Sequence, residues 1–137
     1  MKTLLVLRHA KSSWDRPELP DSHRPLNKRG ERTAPFMGSL IDSIGLVPDA
    51  VISSPAARAR MTAEKAVAAG EFDVEIEFDE RIYGAGAREL LEIVSEIGDD
   101  AGSALIVGHN PGFQMLVQLL TNEGPRMRWE ERRVGKD

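Results

Sequence analysis

The sequence has no cysteine, a single tyrosine, two tryptophans and four phenylalanines in 137 residues. Without cysteine there is no disulfide, no thiol nucleophile and no cysteine-ligated zinc. A reducing cytoplasm is the expected compartment. No apolar run is long enough to span a bilayer, and the first residues lack the basic, then apolar, then small pattern of a secretory signal, so no membrane partner is expected. An excess of positive charge is missing too. The chain carries a formal −4, which argues against nucleic acid as a partner, since such proteins usually present a strongly basic face. Any anion site must be a local gathering of arginines within an acidic protein. What is present is ordinary: 41% hydrophobic and 29% charged residues, the make-up of one globular domain with a core able to fold unaided.

The apolar stretches are short and regularly interrupted. Thr3-Leu4-Leu5-Val6-Leu7 reads as a buried strand. A polar segment over 11–26 follows, with Pro17, Pro20 and Pro25 limiting its freedom. It is expected to be an ordered loop over the strand ends, with Trp14 anchoring it to the body. Asn27 is a candidate N-cap for a helix over 28–44, which carries Met37, Leu40, Ile41 and Ile44 at helical spacing and is expected to kink or start late at Pro35. Residues 50–53 predict a second buried strand. Ser54-Pro55 then reads as cap and first-turn proline of an alanine-rich helix over 56–69, closed by Gly70. Alternation over 74–78 predicts a strand with one wet face, at a sheet edge or in a half-covered position. A helix is expected over 87–97, a central strand over 104–107 and a last helix over 112–120. Strands alternating with helices define an α/β domain, with a mostly parallel sheet flanked by helices. The domain is assigned to residues 1–123. Residues 124–137, charged and poor in apolar side chains, are expected to form a poorly ordered tail.

The chemistry gathers where each strand ends. The first delivers Arg8-His9, the second Ser53-Ser54-Pro55 with Arg58 one helical turn on, the third Asp79-Glu80, and the fourth His109. In an open parallel sheet these ends line one crevice, the place where such folds bind ligands. Guanidinium forks suit phosphate because they donate paired hydrogen bonds to its oxygens, and helix N-termini near Ser54-Pro55 and Asn110-Pro111 add favourable dipoles. A neutral histidine nitrogen attacks phosphorus to give a covalent phosphohistidine that water later cleaves. His9 is the candidate nucleophile, with Arg8, Arg58 and His109 holding charge on the transferring group. Arg24, just before a helix start, is placed to swing over the crevice, and Glu80 is the candidate proton donor to the leaving group. The rival use of His9 and His109 with Asp79 or Glu80 is a metal site, disfavoured because crowded arginines repel a cation. No metal and no cofactor are expected. His23 reads as a surface residue, and Ser12, Ser13, Lys28 and Arg60 as solvated or secondary.

Taken together these motifs resemble one family. Arg8-His9-Ala10-Lys11, the run from Arg24-Pro25-Leu26-Asn27 to Gly30, the run from Ser54-Pro55 through Arg58 to Glu64, and Gly108-His109-Asn110-Pro111-Gly112 are similar to the histidine phosphatase superfamily, in the family's order. The branch they resemble is that of the small SixA-type phosphohistidine phosphatases. The resemblance implies a phosphoglycerate mutase-like three-layer α/β sandwich, a phosphorylated-histidine intermediate on His9, and a phosphate pocket of Arg8, Arg24, Arg58 and His109. Glu80 stands where many relatives carry their acid, in a position less uniform in the SixA-type branch. Only a few residues separate Glu80 from the next helix, so no cap is expected over the crevice. An open crevice admits a phosphohistidine presented by a phosphotransfer protein, the substrate that the resemblance implies. The alternatives are a phosphatase for small phosphate monoesters and a non-catalytic phosphate- or phosphoprotein-binding module. Relatives continue past the last helix with a further apolar strand and helix, where this sequence turns charged.

Overall fold

The computed structural model describes residues 3–123; the predicted tail over 124–137 lies outside them. The chain runs β1 (Thr3–Arg8), α1 (Lys28–Ser43), β2 (Ala50–Ser53), α2 (Ala57–Gly70), β3 (Ile76–Phe78), α3 (Ala87–Ser95), β4 (Ser103–Gly108) and α4 (Gly112–Glu123), with short 3₁₀ turns at Asp21–His23 and Glu80–Ile82. The strands form one sheet in the order β1-β4-β2-β3, and every pairing among them is parallel. This is the mixed α/β architecture expected from the alternating pattern, with β4 central and β3 at an edge.

Alternation along each strand builds two cores. Leu5, Leu7, Val51, Leu105 and Val107 point to one face, where Met37 and Ile41 of α1 and Ala59 and Ala63 of α2 cover them. Val6, Ile52 and Ile106 point to the other, against Leu90, Ile93 and Val94 of α3 and Phe113 and Leu116 of α4. The handedness of parallel crossovers explains the division. The chain moves outward from β1 to β2 to β3 with its helices on one face, then returns to β4 and must carry α3 on the other. Adjacent strands are therefore followed by segments that leave on opposite faces, which opens a crevice at the carboxyl ends of β1, β4 and β2.

Several boundaries differ from those expected. Pro35 lies inside a continuous α1, whose buried face of Ala34, Met37, Gly38 and Ile41 packs on α2 and outweighs the lost backbone bond. Asn27 caps α1 as expected, its side chain accepting from the Gly30 N–H at 2.8 Å. α2 starts at Ala57 with Ala56 as N-cap, and Ser54 has another task, described below. Glu71, not Gly70, makes the left-handed exit from α2, with φ 55°. β3 keeps only Ile76–Phe78, and α3 stops at Ser95.

Two glycines let backbone meet backbone. A Cβ at Gly38 would overlap the Ala66 carbonyl where α1 crosses α2, and one at Gly30 would overlap the Lys11 carbonyl. Gly30 thus lets the loop after β1 lie on the first turn of α1, where the Asn27 N–H donates to Lys11 O (2.9 Å) and the Ser13 N–H to Pro25 O (2.8 Å). Gly38→Ala is expected to destabilise the fold by about 1–3 kcal/mol, because the helices can separate only at the expense of the core between them. Urea unfolding of the variant beside the wild type measures this.

Candidate functional site

Two backbone hydrogen bonds set the frame. The His9 N–H donates to Gly108 O (2.9 Å) and the Ser54 N–H to Val107 O (2.9 Å). The ends of β1 and β2 are thereby fixed on either side of the Gly108-His109 corner. His9 and His109 face each other with ring centroids 5.3 Å apart, and Tyr83 meets His109 edge-on at 5.4 Å.

His9 is oriented by its immediate neighbour. Its Nδ1 lies 2.7 Å from Ala10 O. A carbonyl oxygen only accepts, so Nδ1 carries the proton and Nε2 keeps its lone pair. The Arg58 Nε–H donates to that Nε2 at 3.2 Å. Thr62 secures the pair from beneath: its buried hydroxyl donates to Arg58 O (2.7 Å) and accepts the Ala10 N–H (3.0 Å). Helical spacing of four residues puts Thr62 one turn below Arg58, and this brings α2 into register with the end of β1.

Arg58 is 8% exposed and Arg24 6%, a degree of burial that charged groups tolerate only with partners. Asp21 supplies them. Its carboxylate accepts from Arg58 Nη2 (2.9 Å), Arg24 Nη1 (3.0 Å) and the Tyr83 hydroxyl (2.6 Å), while its carbonyl accepts from Arg58 Nη1 (2.7 Å). The Tyr83 hydrogen bond and the two guanidiniums hold the Asp21 carboxyl far below the usual carboxylate range. The same bond raises the pKa of Tyr83, which keeps its proton. Arg24 is tied to its own loop through Ser13 O (3.1 Å) and Ser12 Oγ (2.6 Å), and its guanidinium lies 3.2 Å from the centroid of the Trp14 ring.

His109 shares a hydrogen bond of 2.8 Å between its Nε2 and Ser54 Oγ, which also accepts the Ala56 N–H. Burial, then the charge of Arg58 and coupling to the titration of His9, lowers the His109 pKa from 6.5 to about 4. His109 is therefore neutral at physiological pH. The sign of the linkage follows. Between 6.5 and 4 the unfolded chain binds a proton that the folded chain refuses, so the His109 contribution to stability is complete above 6.5 and is lost as pH falls toward 4. Thermal unfolding of wild type and His109→Gln across that window checks this: the wild type is expected to lose more stability on acidification than the variant.

The structure thus brings His9, Arg58 and His109 together and joins Arg24 to them through Asp21. Arg8 is the last residue of β1, opposite Gly108 in the register. Glu80 opens the 3₁₀ turn after β3 with its side chain exposed, and Tyr83, the residue after that turn, reaches Asp21 and His109. Trp14, expected to anchor the loop to the body, is 69% exposed and offers a ring face to Arg24 instead. His23 is exposed, as expected. The sequence pattern does not mark Asp21, Tyr83 or Thr62 as site residues, and it puts Ser54 at the crevice only as a helix cap, without its bond to His109. Among the described residues no group of three or more histidines and carboxylates is placed to hold a metal ion, and no helix is long and apolar enough to cross a membrane.

Two buried guanidiniums beside paired imidazoles, at the carboxyl ends of a parallel sheet, place groups suited to an anion where open α/β sheets bind ligands. The family of the chain is shown by comparison. The sequence profile of the histidine phosphatase superfamily, branch 1, matches residues 4–87, and the chain belongs to that superfamily. An uncharacterized chloroplastic protein of Arabidopsis thaliana is 31% identical over 136 residues, covering 93% of this chain and 62% of its own length. The chain thus spans less than two thirds of that relative. The solved structure of a candidate phosphohistidine phosphatase SixA from Agrobacterium tumefaciens superposes with a TM-score of 0.82 at 29% identity, over 90% of this chain and 79% of that one. A phosphoglycerate mutase from Bacillus anthracis shares the fold, with a TM-score of 0.71 at 15% identity over 93% of this chain and 83% of that one. The expected SixA-type, phosphoglycerate mutase-like architecture is what these comparisons show.

Proposed function

We propose that this chain is a metal-independent phosphatase that forms a covalent phosphohistidine on His9 and acts on phosphohistidine carried by signalling or phosphotransfer proteins. The observation that carries the reading is the His9–Arg58 pair. Nδ1–H is engaged by Ala10 O, so the nucleophilic lone pair sits on Nε2 beside a guanidinium. Catalysis then needs no metal to generate a nucleophile.

In the first half-reaction His9 Nε2 attacks phosphorus and the bond from phosphorus to the leaving nitrogen breaks. The leaving imidazole takes a proton from Glu80, the acid in this reading. Arg8, Arg58 and the neutral His109 stabilise charge on the phosphoryl oxygens, which is the main task in phosphoryl transfer. In the second half-reaction Glu80, now a carboxylate, takes a proton from water. The water oxygen bonds to phosphorus, the His9–phosphorus bond breaks, and inorganic phosphate leaves with Nε2 restored.

The family and the SixA-named neighbour support the substrate class. So does the relief of the site. A cleft of about 210 Å³ with mostly apolar walls, lined in part by Ile82, Ala85, His109, Pro111 and Met115, lies on the side of His109 and offers a neighbouring surface for a substrate protein. The test is phosphate release from a phosphohistidine-bearing phosphotransfer domain, run in EDTA. Release by wild type is expected. Release only from small phosphate esters would move the substrate class, and dependence on added metal would overturn the mechanism.

A further inference from the structure

We propose that Asp21 is an internal counter-anion of the phosphate clamp, one that an incoming phosphoryl group must displace from Arg58 before His9 attacks. The inference rests on the reading of His9 as nucleophile and of Arg58 as its clamp.

The geometry is specific. All three nitrogens of Arg58 are engaged: Nε donates to His9 Nε2, Nη1 to the Asp21 carbonyl and Nη2 to the Asp21 carboxylate. The Asp21 carbonyl and one carboxylate oxygen take the two ends of the fork, the places that two phosphoryl oxygens take in a bidentate guanidinium–phosphate pair. Asp21 therefore occupies donors that a transferring phosphate requires, and in doing so keeps the Arg58 Nε–H on the lone pair that must attack phosphorus. Both groups have to let go. While Nε caps Nε2, and Asp21 fixes the fork in that orientation, the nucleophile is held back.

Asp21 is built to be exchanged. Its side chain is 50% exposed, and it begins a single short 3₁₀ turn between Pro20 and Arg24. The loop has other ties besides the Asp21 carboxylate. Arg24 keeps Ser13 O, Ser12 Oγ and the Trp14 face, and the Ser13–Pro25 and Asn27–Lys11 backbone bonds remain. Tyr83, donating to the same carboxylate oxygen as Arg58 Nη2, offers the released carboxylate a partner at the rim. Charge then favours the exchange. A phosphoryl dianion competes for the arginines better than the single charge of Asp21 does, whereas a monoanionic carboxylate gains nothing over it. The device thus selects doubly charged ligands.

The experiment is calorimetric titration of inorganic phosphate into wild type, Asp21→Asn and Tyr83→Phe, with thermal unfolding to confirm that each is folded. Asp21→Asn keeps shape and removes charge, and is expected to bind phosphate about tenfold more tightly. Tyr83→Phe removes the rim partner of the released carboxylate and is expected to weaken phosphate binding a few-fold; unchanged or tighter binding by this variant counts against the proposal even if Asp21→Asn folds poorly. Unchanged or weaker binding by Asp21→Asn would overturn the proposal, because Asp21 would then be a brace for the arginines and not their competitor. If phosphate binds in that way while wild type still releases phosphate from phosphohistidine, this inference alone falls. If neither protein binds phosphate and neither turns over, the proposed function falls with it.

Discussion

Alanine at position 9 is expected to lower turnover of a phosphohistidine-bearing protein by about 10⁴-fold or more, since removal of a covalent nucleophile leaves only binding and charge stabilisation. The structure makes this variant informative because the local fold is tied by backbone bonds that the substitution leaves in place. His9 is partly exposed, and its ring meets Ala10 O, Arg58 and His109 among its contacts. The fold around it is carried by backbone pairing with Gly108 and by Thr62. His9→Ala is therefore expected to unfold near the wild-type temperature and to keep phosphate affinity within a few-fold, because the Arg58 fork and the field of the arginines persist. Lost turnover with retained phosphate binding assigns His9 to chemistry. Turnover within about tenfold of wild type would show that another group attacks phosphorus.

Arg58→Lys is expected to cost about 10³-fold in turnover, the scale on which arginines act in phosphoryl transfer. Lysine preserves the charge and nothing else. Its single ammonium cannot face His9 Nε2 and the two Asp21 acceptors at once, which the planar fork of Arg58 does over distances of 3.2, 2.7 and 2.9 Å. The lost shape also leaves Asp21 with Arg24 and Tyr83 only, so a modest loss of stability is expected beside the kinetic effect. The split between constants separates the two. If kcat falls while KM changes little, Arg58 acts mainly on the transition state. A rise in KM with kcat intact would reduce Arg58 to a ground-state binding group.

How much of this could be seen in the chain beforehand follows from range. The strands and the central place of β4 were legible because Ala104-Leu105-Ile106-Val107 is uniformly apolar while 74–78 alternates, and burial imposes those patterns directly. His9, Arg58 and His109 were legible for a related reason: topology sends strand ends to one edge, so polar residues just beyond apolar runs converge. Asp21 was not. Its role depends on a 3₁₀ turn inside an aperiodic loop and on Tyr83, distant in sequence, and neither leaves a periodic trace. Ser54 was misread because a serine before a proline looks like a helix cap, while here its hydroxyl reaches His109 and Ala56 takes the cap position. Trp14 misled for a similar reason. A lone aromatic in a polar loop suggests an anchor in the core, yet this one pays for its exposure by covering the Arg24 guanidinium. Pro35 shows that a local preference yields when a buried helix face packs well.

The central claim is a phosphoryl group carried on His9. Rapid acid-free quenching of wild type with a phosphohistidine-bearing domain, followed by intact-mass and peptide mapping under alkaline conditions, tests it most directly. A transient species heavier by one phosphoryl group, acid-labile and mapped to His9, is the predicted result. Phosphate release at the full steady-state rate with no phosphorylated enzyme at any time, or a phosphoryl group mapped to another residue, would contradict it.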